Sequence, residues 1–231
     1  MQIRIGLENG IEGRALAWVL DYPGCFAYGK DGTEAILRTP QALITYREWV
    51  ADHIANSWLQ NLEDFDIALA EIFECYKVAE NGREYEVNAW FNDDLRPLSR
   101  EEIERGIALL EWSRSDLQSL VSPLTPAQLE QKFTSERWSI AGVVQHIAKA
   151  NMWYLDRLNL TSIDVAKAGS GIFERLDLVH QELVKCLPEL AGKNAKVEVN
   201  HETWSPRKVL RRAIWHMRDH HFHIERLLSL L

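Results

Sequence analysis

Apolar and polar positions alternate along Ile3, Ile5 and Leu7, the pattern of a half-buried strand. Residues 15–20 form a short apolar run and predict a second strand. Asp21-Tyr22-Pro23-Gly24 carries turn chemistry, since Pro presets φ and Gly supplies positive φ. A helical pattern starts at Thr33. Pro40 interrupts it, and Thr39 is placed to cap a second helix over residues 42–59. Residues 66–78 and 84–91 predict a β-hairpin. Tyr85, Val87, Ala89 and Phe91 alternate with polar or small neighbours, and Asn81-Gly82 suits a type I′ turn.

Beyond Asp93-Asp94-Leu95-Arg96-Pro97, which reads as a linker, the period changes from two to between three and four. Ser99 and Glu102 form a capping box ahead of Ile103, Ile107, Leu110, Leu117 and Leu120. Thr125-Pro126 opens a short helix. Ser139 caps one carrying Val143, Val144, Ile147, Trp153 and Leu155. Residues 171–187 predict a third long helix, with Phe173, Leu176, Val179 and Leu183 inward. Ser205-Pro206 opens the last, which runs to the C-terminus. The expected class is α+β: a small antiparallel α/β domain over residues 1–95, then an all-α four-helix bundle over residues 96–231.

Charge sharpens this division. Residues 1–95 hold seven Lys and Arg against seventeen Asp and Glu, and the remainder holds nineteen against seventeen. An acidic first half argues against direct nucleic-acid binding, which needs Lys and Arg on phosphate. No apolar run reaches membrane-span length and no signal pattern opens the chain, so the expectation is a cytoplasmic protein without a membrane partner. Cys25, Cys75 and Cys186 are odd in number and far apart, which predicts free thiols. There is no Walker loop, no GxGxxG and no nucleophile elbow.

The chemistry gathers near the C-terminus, where four of the eight histidines lie within residues 215–223. His216 and His220, four apart, share one helix face, and such a pair can converge on a metal ion. His223 extends the stripe as a ligand, a supporting group or a base. His146, on a second amphipathic helix, is the candidate third ligand. The two helices share an opening: Trp138-Ser139 precedes His146, and Trp204-Ser205 precedes His216. Trp138 and Trp215 are candidates for lining a pocket. Arg207-Lys208 and Arg211-Arg212 read as a solvated helix face or as partners for a substrate anion. No residue is assigned a catalytic role. A bland alternative is a structural stripe whose histidines satisfy one another.

The order Ser139…His146, a third helix, then Trp204-Ser205…Trp215-His216-x-x-x-His220 resembles the DinB-like (damage-inducible, YfiT-type) four-helix bundle over roughly residues 99–231. The resemblance implies a divalent metal held by His146, His216 and His220, with Zn, Ni and Fe all compatible with three imidazoles. It also implies a small-molecule substrate, a low-molecular-weight thiol activated as thiolate for transfer to an electrophile, and pairing of bundles into a homodimer. Met217 stands where many relatives carry an acidic residue.

Residues 21–29, followed by Thr33-Glu34-Ala35, resemble the HicB-like fold over roughly residues 1–60, whose signature is a D-x-P-G-C turn before a helix. That likeness implies a partner-binding or regulatory role of the toxin–antitoxin or stress type. It is the alternative to a metal-dependent enzyme.

Overall fold

The computed structural model describes residues 1–55, 58–59, 62, 64–80, 82–134, 136–161, 163 and 171–231. The chain forms two compact units. One comprises residues 1–96 with 198–204, and the other comprises residues 97–197 with 205–231.

The first unit is built on strands β1 (Gln2–Asn9), β2 (Ala15–Val19) and β3 (Phe26–Gly29), helix α1 (Gly32–His53) and strand β4 (Asp66–Glu74). The sheet order is β3-β2-β1-β4. β2 is antiparallel to β1 and β3, whereas β4 runs parallel to β1. The expected antiparallel sheet is therefore mixed. The stretch read as one hairpin arm over residues 66–78 divides at Cys75-Tyr76. Its first part joins β1, and its second, β5 (Lys77–Glu80), pairs with β6 (Arg83–Glu86). Gly82 takes φ 75° at the hairpin turn, while Asn81 lies outside the described residues. Val87, Ala89 and Phe91 continue past β6 as a buried segment. Gly6 of β1 makes room for it, because a Cβ there would stand 2.8 Å from the Phe91 ring.

α1 is one helix and not two. It starts after Asp31, whose carboxylate accepts from Glu34 N at 2.9 Å, and it runs through Pro40. Ala35, Thr39, Leu43, Tyr46 and Val50 form a single buried stripe across the proline. Burying that stripe offsets a cost of about 3 kcal/mol for an interior proline. The Thr39 hydroxyl donates to Ala35 O instead of capping a new helix. The helix ends at His53, short of the expected residue 59. Tyr22-Pro23-Gly24-Cys25 is a tight turn closed by Cys25 N donating to Tyr22 O at 2.9 Å, with Gly24 at φ 88°.

The second unit contains α2 (Arg100–Val121), α3 (Pro126–Glu130), α4 (Ile140–Asp156), α5 (Glu174–Cys186) and α6 (Pro206–Leu228). Ser99, Thr125, Ser139 and Ser205 cap α2, α3, α4 and α6 as their spacing predicts. α5 starts three residues later than expected and gives way at Leu187 to a single 3-10 turn. α2 packs on α6, α6 on α4 and α4 on α5. Arg114 of α2 closes the ring by donating to Asp177 of α5 at 2.6 Å and 2.8 Å. Val143, Val144, Ile147, Leu155, Leu176, Val179, Leu183 and Ile214 fill the core. Trp153, placed inward by the pattern, is instead partly exposed beside Arg157.

Between α5 and α6 lies a small hairpin that the hydrophobic pattern did not announce. Its strands are β7 (Val197–Val199) and β8 (Glu202–Trp204), joined through Asn200 and His201 at positive φ. Glu202 accepts from Asn88 N and Nδ2, which ties residues 198–204 into the first unit. Among the described residues no helix is long and apolar enough to cross a membrane.

Candidate metal centre

α4 and α6 bring the three predicted histidines to one point. His216 Nε2 lies 3.1 Å from His146 Nε2 and 3.1 Å from His220 Nε2. All three donor atoms lie within 4.8 Å of one another. His216 and His220 meet because one helical turn separates them. His146 arrives from the facing helix seven residues after its Ser139 cap.

Burial sets the protonation state. His216 and His220 are buried, and His146 is half-buried. Burial pushes His216 well below the ordinary histidine range, aided by His220, His146 and Arg212. His220 falls to about 3, through burial and then His146 and His223. His146 is lowered by burial, then by Arg137, Lys149 and His223. All three rings are thus neutral near pH 7.

Three neutral imidazoles facing one another are poorly satisfied by the chain alone. Each Nε2 offers either one hydrogen or one lone pair. His216 Nε2 faces two other nitrogens, so it satisfies one neighbour and not both. A cation accepts all three lone pairs. Tetrahedral zinc holds imidazole nitrogens at about 2.0–2.1 Å, which spaces them about 3.3 Å apart. The two 3.1 Å separations fit that spacing. Three ligands leave a fourth position for a reactant.

The surroundings hold this geometry. Trp138 stacks on His146 with ring centroids 4.3 Å apart and planes 20° from parallel. Gly142, one turn before His146, permits that approach, since a Cβ there would lie 3.0 Å from Trp138 Cβ. Tyr154, buried and unremarked in the sequence, sets its ring edge-on to His216 at 6.0 Å. Trp215 is buried beside His216, and Arg212 lies over its ring at 4.8 Å. Met217, between the two histidines of α6, is fully buried.

His223 is not within the three-nitrogen cluster. It contacts His220 through Nδ1 at 3.4 Å and Glu136 through Nε2 at 3.1 Å. Glu136 has no signal in the sequence, because it lies 87 residues from His223 in a segment without regular structure. His221 turns away toward Glu225. The basic run on α6 corrects the reading of a solvated face. Arg207, Lys208, Arg211 and Arg212 are all buried, and Arg207 donates to Pro97 O and Glu102 Oε2 at 2.9 Å each. The physical reason is that α6 packs against both α2 and α4, so its first turns have little face left for solvent.

The model of one family, the DinB superfamily, matches residues 109–224, a span that includes all three histidines. Among solved structures, the chain is similar to one described as "YfiT from Bacillus subtilis is a probable metal-dependent hydrolase with an unusual four-helix bundle topology". The likeness has 20% identity and a TM-score of 0.49, and it covers 62% of this chain and 93% of that one. No curated protein matches the chain.

Proposed function

The chain belongs to the DinB superfamily, and on that premise we propose that it is a divalent-metal-dependent enzyme with His146, His216 and His220 as metal ligands. The observation that carries the reading is the convergence of three imidazole nitrogens from two helices within 4.8 Å. Zn, Ni and Fe all suit such a ligand set.

A cation held by His146, His216 and His220 would supply Lewis acidity and would lower the pKa of a bound thiol or water. The chain's own residues do the rest. The three imidazoles bring lone pairs without charge, so the net charge of the ion is retained for the reactant. Trp138 and Tyr154 hold two of the rings in place. Burial of His216 and His220 keeps water and protons from competing for their nitrogens. For the reaction, we propose transfer of a low-molecular-weight thiol to an electrophilic small molecule, the neutral donor set favouring a thiolate nucleophile. Pairing of two bundles into a homodimer belongs to the same proposal.

The first test is metal content by plasma mass spectrometry on untagged protein, beside His146→Ala and His216→Ala. About one metal per chain, lost in both variants, supports a shared two-helix site. Wild-type protein that stays metal-free after loading with Zn, Ni and Fe refutes it. Thiol consumption with a panel of electrophiles then tests the reaction, and activity on esters or amides without added thiol points to hydrolysis instead.

A second reading concerns the first unit alone. The Tyr22–Cys25 turn, the following strand β3 and the helix carrying Glu34 and Ala35 occur in the order of the HicB-like signature. They support a HicB-like unit that binds a partner protein. A pull-down with the full chain that recovers no partner in stoichiometric amount counts against that role.

A further inference from the structure

Glu136 and His223 stand beside the three-nitrogen cluster, and their contacts have a direction. Glu136 Oε2 lies 3.1 Å from His223 Nε2, and Glu136 Oε1 accepts from Arg226 Nη2 at 2.8 Å. Both side chains of the Glu136–His223 pair are mostly buried, with exposures of 16% and 15%. An ionised carboxylate has no hydrogen to give, so His223 carries its hydrogen on Nε2. A neutral His223 then presents a lone pair on Nδ1. That atom lies 3.4 Å from His220 Nδ1, and the contact is a hydrogen bond only when His220 carries its hydrogen on Nδ1. A neutral His220 so arranged keeps its lone pair on Nε2. That is the atom it brings to within 3.1 Å of His216 Nε2.

We propose that Glu136, acting through His223, is a positioning residue that fixes the tautomer of His220 and presents its Nε2 lone pair to the metal. The proposal rests on the metal reading above. Without this partner chain, a neutral imidazole divides itself between two tautomers, one of which points a hydrogen at the cation. The same contacts also join the two ligand-bearing helices. Glu136 lies just ahead of the Ser139 cap of α4, whereas His220, His223 and Arg226 belong to α6. Hydrogen-bond partners of metal-bound histidines fix ring orientation in this way and raise ligand basicity.

Heteronuclear NMR of the histidine ring nitrogens in the metal-free full chain tests the direction. Wild-type protein is expected to show His223 with its hydrogen on Nε2 and His220 with its hydrogen on Nδ1. In Glu136→Ala and in His223→Leu, His220 should become a mixture of both tautomers. A purely structural tie between Glu136 and His223 leaves His220 unchanged on substitution, and that result overturns the proposal. So does His223 with its hydrogen on Nδ1 in the wild type. Zinc affinity by chelator competition supplies the second readout, with a loss of roughly 10–100-fold expected in each variant. If Glu136→Ala does not fold, Glu136→Leu fills the space, removes the acceptor and carries the same expected change. Variants within about twofold of wild type overturn this proposal alone. Wild-type protein that binds no zinc, nickel or iron overturns the metal reading and this proposal together.

Discussion

The two units each bury a polar group, and they treat it in opposite ways. In the first, Glu8 is buried within the sheet, with each carboxylate oxygen taken by the chain: Trp18 Nε1 donates to one and Ala89 N to the other, both at 2.9 Å. In the second, the Nε2 atoms of His146, His216 and His220 are turned toward one another, where the chain cannot satisfy them all. A closed polar set stabilises a fold, because each group has exchanged water for a partner. An open set of neutral donors at metal spacing sacrifices that satisfaction and gains a place for a cation. Burial alone does not separate the two roles; the accounting of donors and acceptors does.

The sharpest test of the contrast is His216→Ala. It removes the nitrogen shared by both short contacts, and the expected result is complete loss of the bound metal, read by plasma mass spectrometry. Folding of the metal-free chain should survive, because no satisfied hydrogen-bond network is broken. A variant that retains stoichiometric metal sinks the assignment.

Glu8→Leu tests the other side. It removes the carboxylate that accepts from the Trp18 indole N–H and the Ala89 amide, at a cost of about 2–4 kcal/mol by urea unfolding. Metal stoichiometry should stay as in the wild type. An unfolding midpoint equal to wild type would show that Glu8 is not the closed set described here.

Acid comes next. The folded state holds His220 at about 3 and His180 at about 4, against an ordinary value of 6.5, chiefly through burial. The unfolded chain therefore binds protons first as pH falls. Stability that is fully present above about pH 6.5 is lost on the way down to pH 3–4. Each such histidine contributes a slope of up to about 1.4 kcal/mol per pH unit. Urea midpoints of metal-free protein at neutral and mildly acidic pH measure this, and a flat profile contradicts it. Trp138→Ala should have the smallest effect, about 0.5–1.5 kcal/mol from loss of the stack on His146. It is checked by thermal melting with and without metal. A melting temperature equal to wild type in both states would mean that the stack does not hold the ring.

The legible parts of the chain are those whose physics is local. Ser99, Ser139 and Ser205 could be read as helix starts because a cap contacts an amide three residues away. His216 and His220 were legible because helical geometry alone sets them on one face. His146 required a second helix of compatible pattern. The unread parts depend on distant residues. β4 pairs in parallel with β1 across more than fifty intervening positions, and nothing in residues 66–74 names that partner. The unbroken α1 was missed because packing of its stripe outweighs the local penalty at Pro40. Glu136 was missed because its meaning comes wholly from His223.

The hairpin at residues 198–204 has a consequence for how this gene can be divided. The chain leaves its first unit at residue 96, returns for seven residues, and leaves again before α6. A single cut cannot release either unit whole. A fragment ending at residue 96 strips Asn88 of the Glu202 carboxylate that receives its amide and side chain. A fragment starting at residue 97 carries the hairpin without its partners. Shuffling the helical unit as an independent module therefore requires two joints in the coding sequence, with a new loop connecting residue 197 to the Ser205 cap.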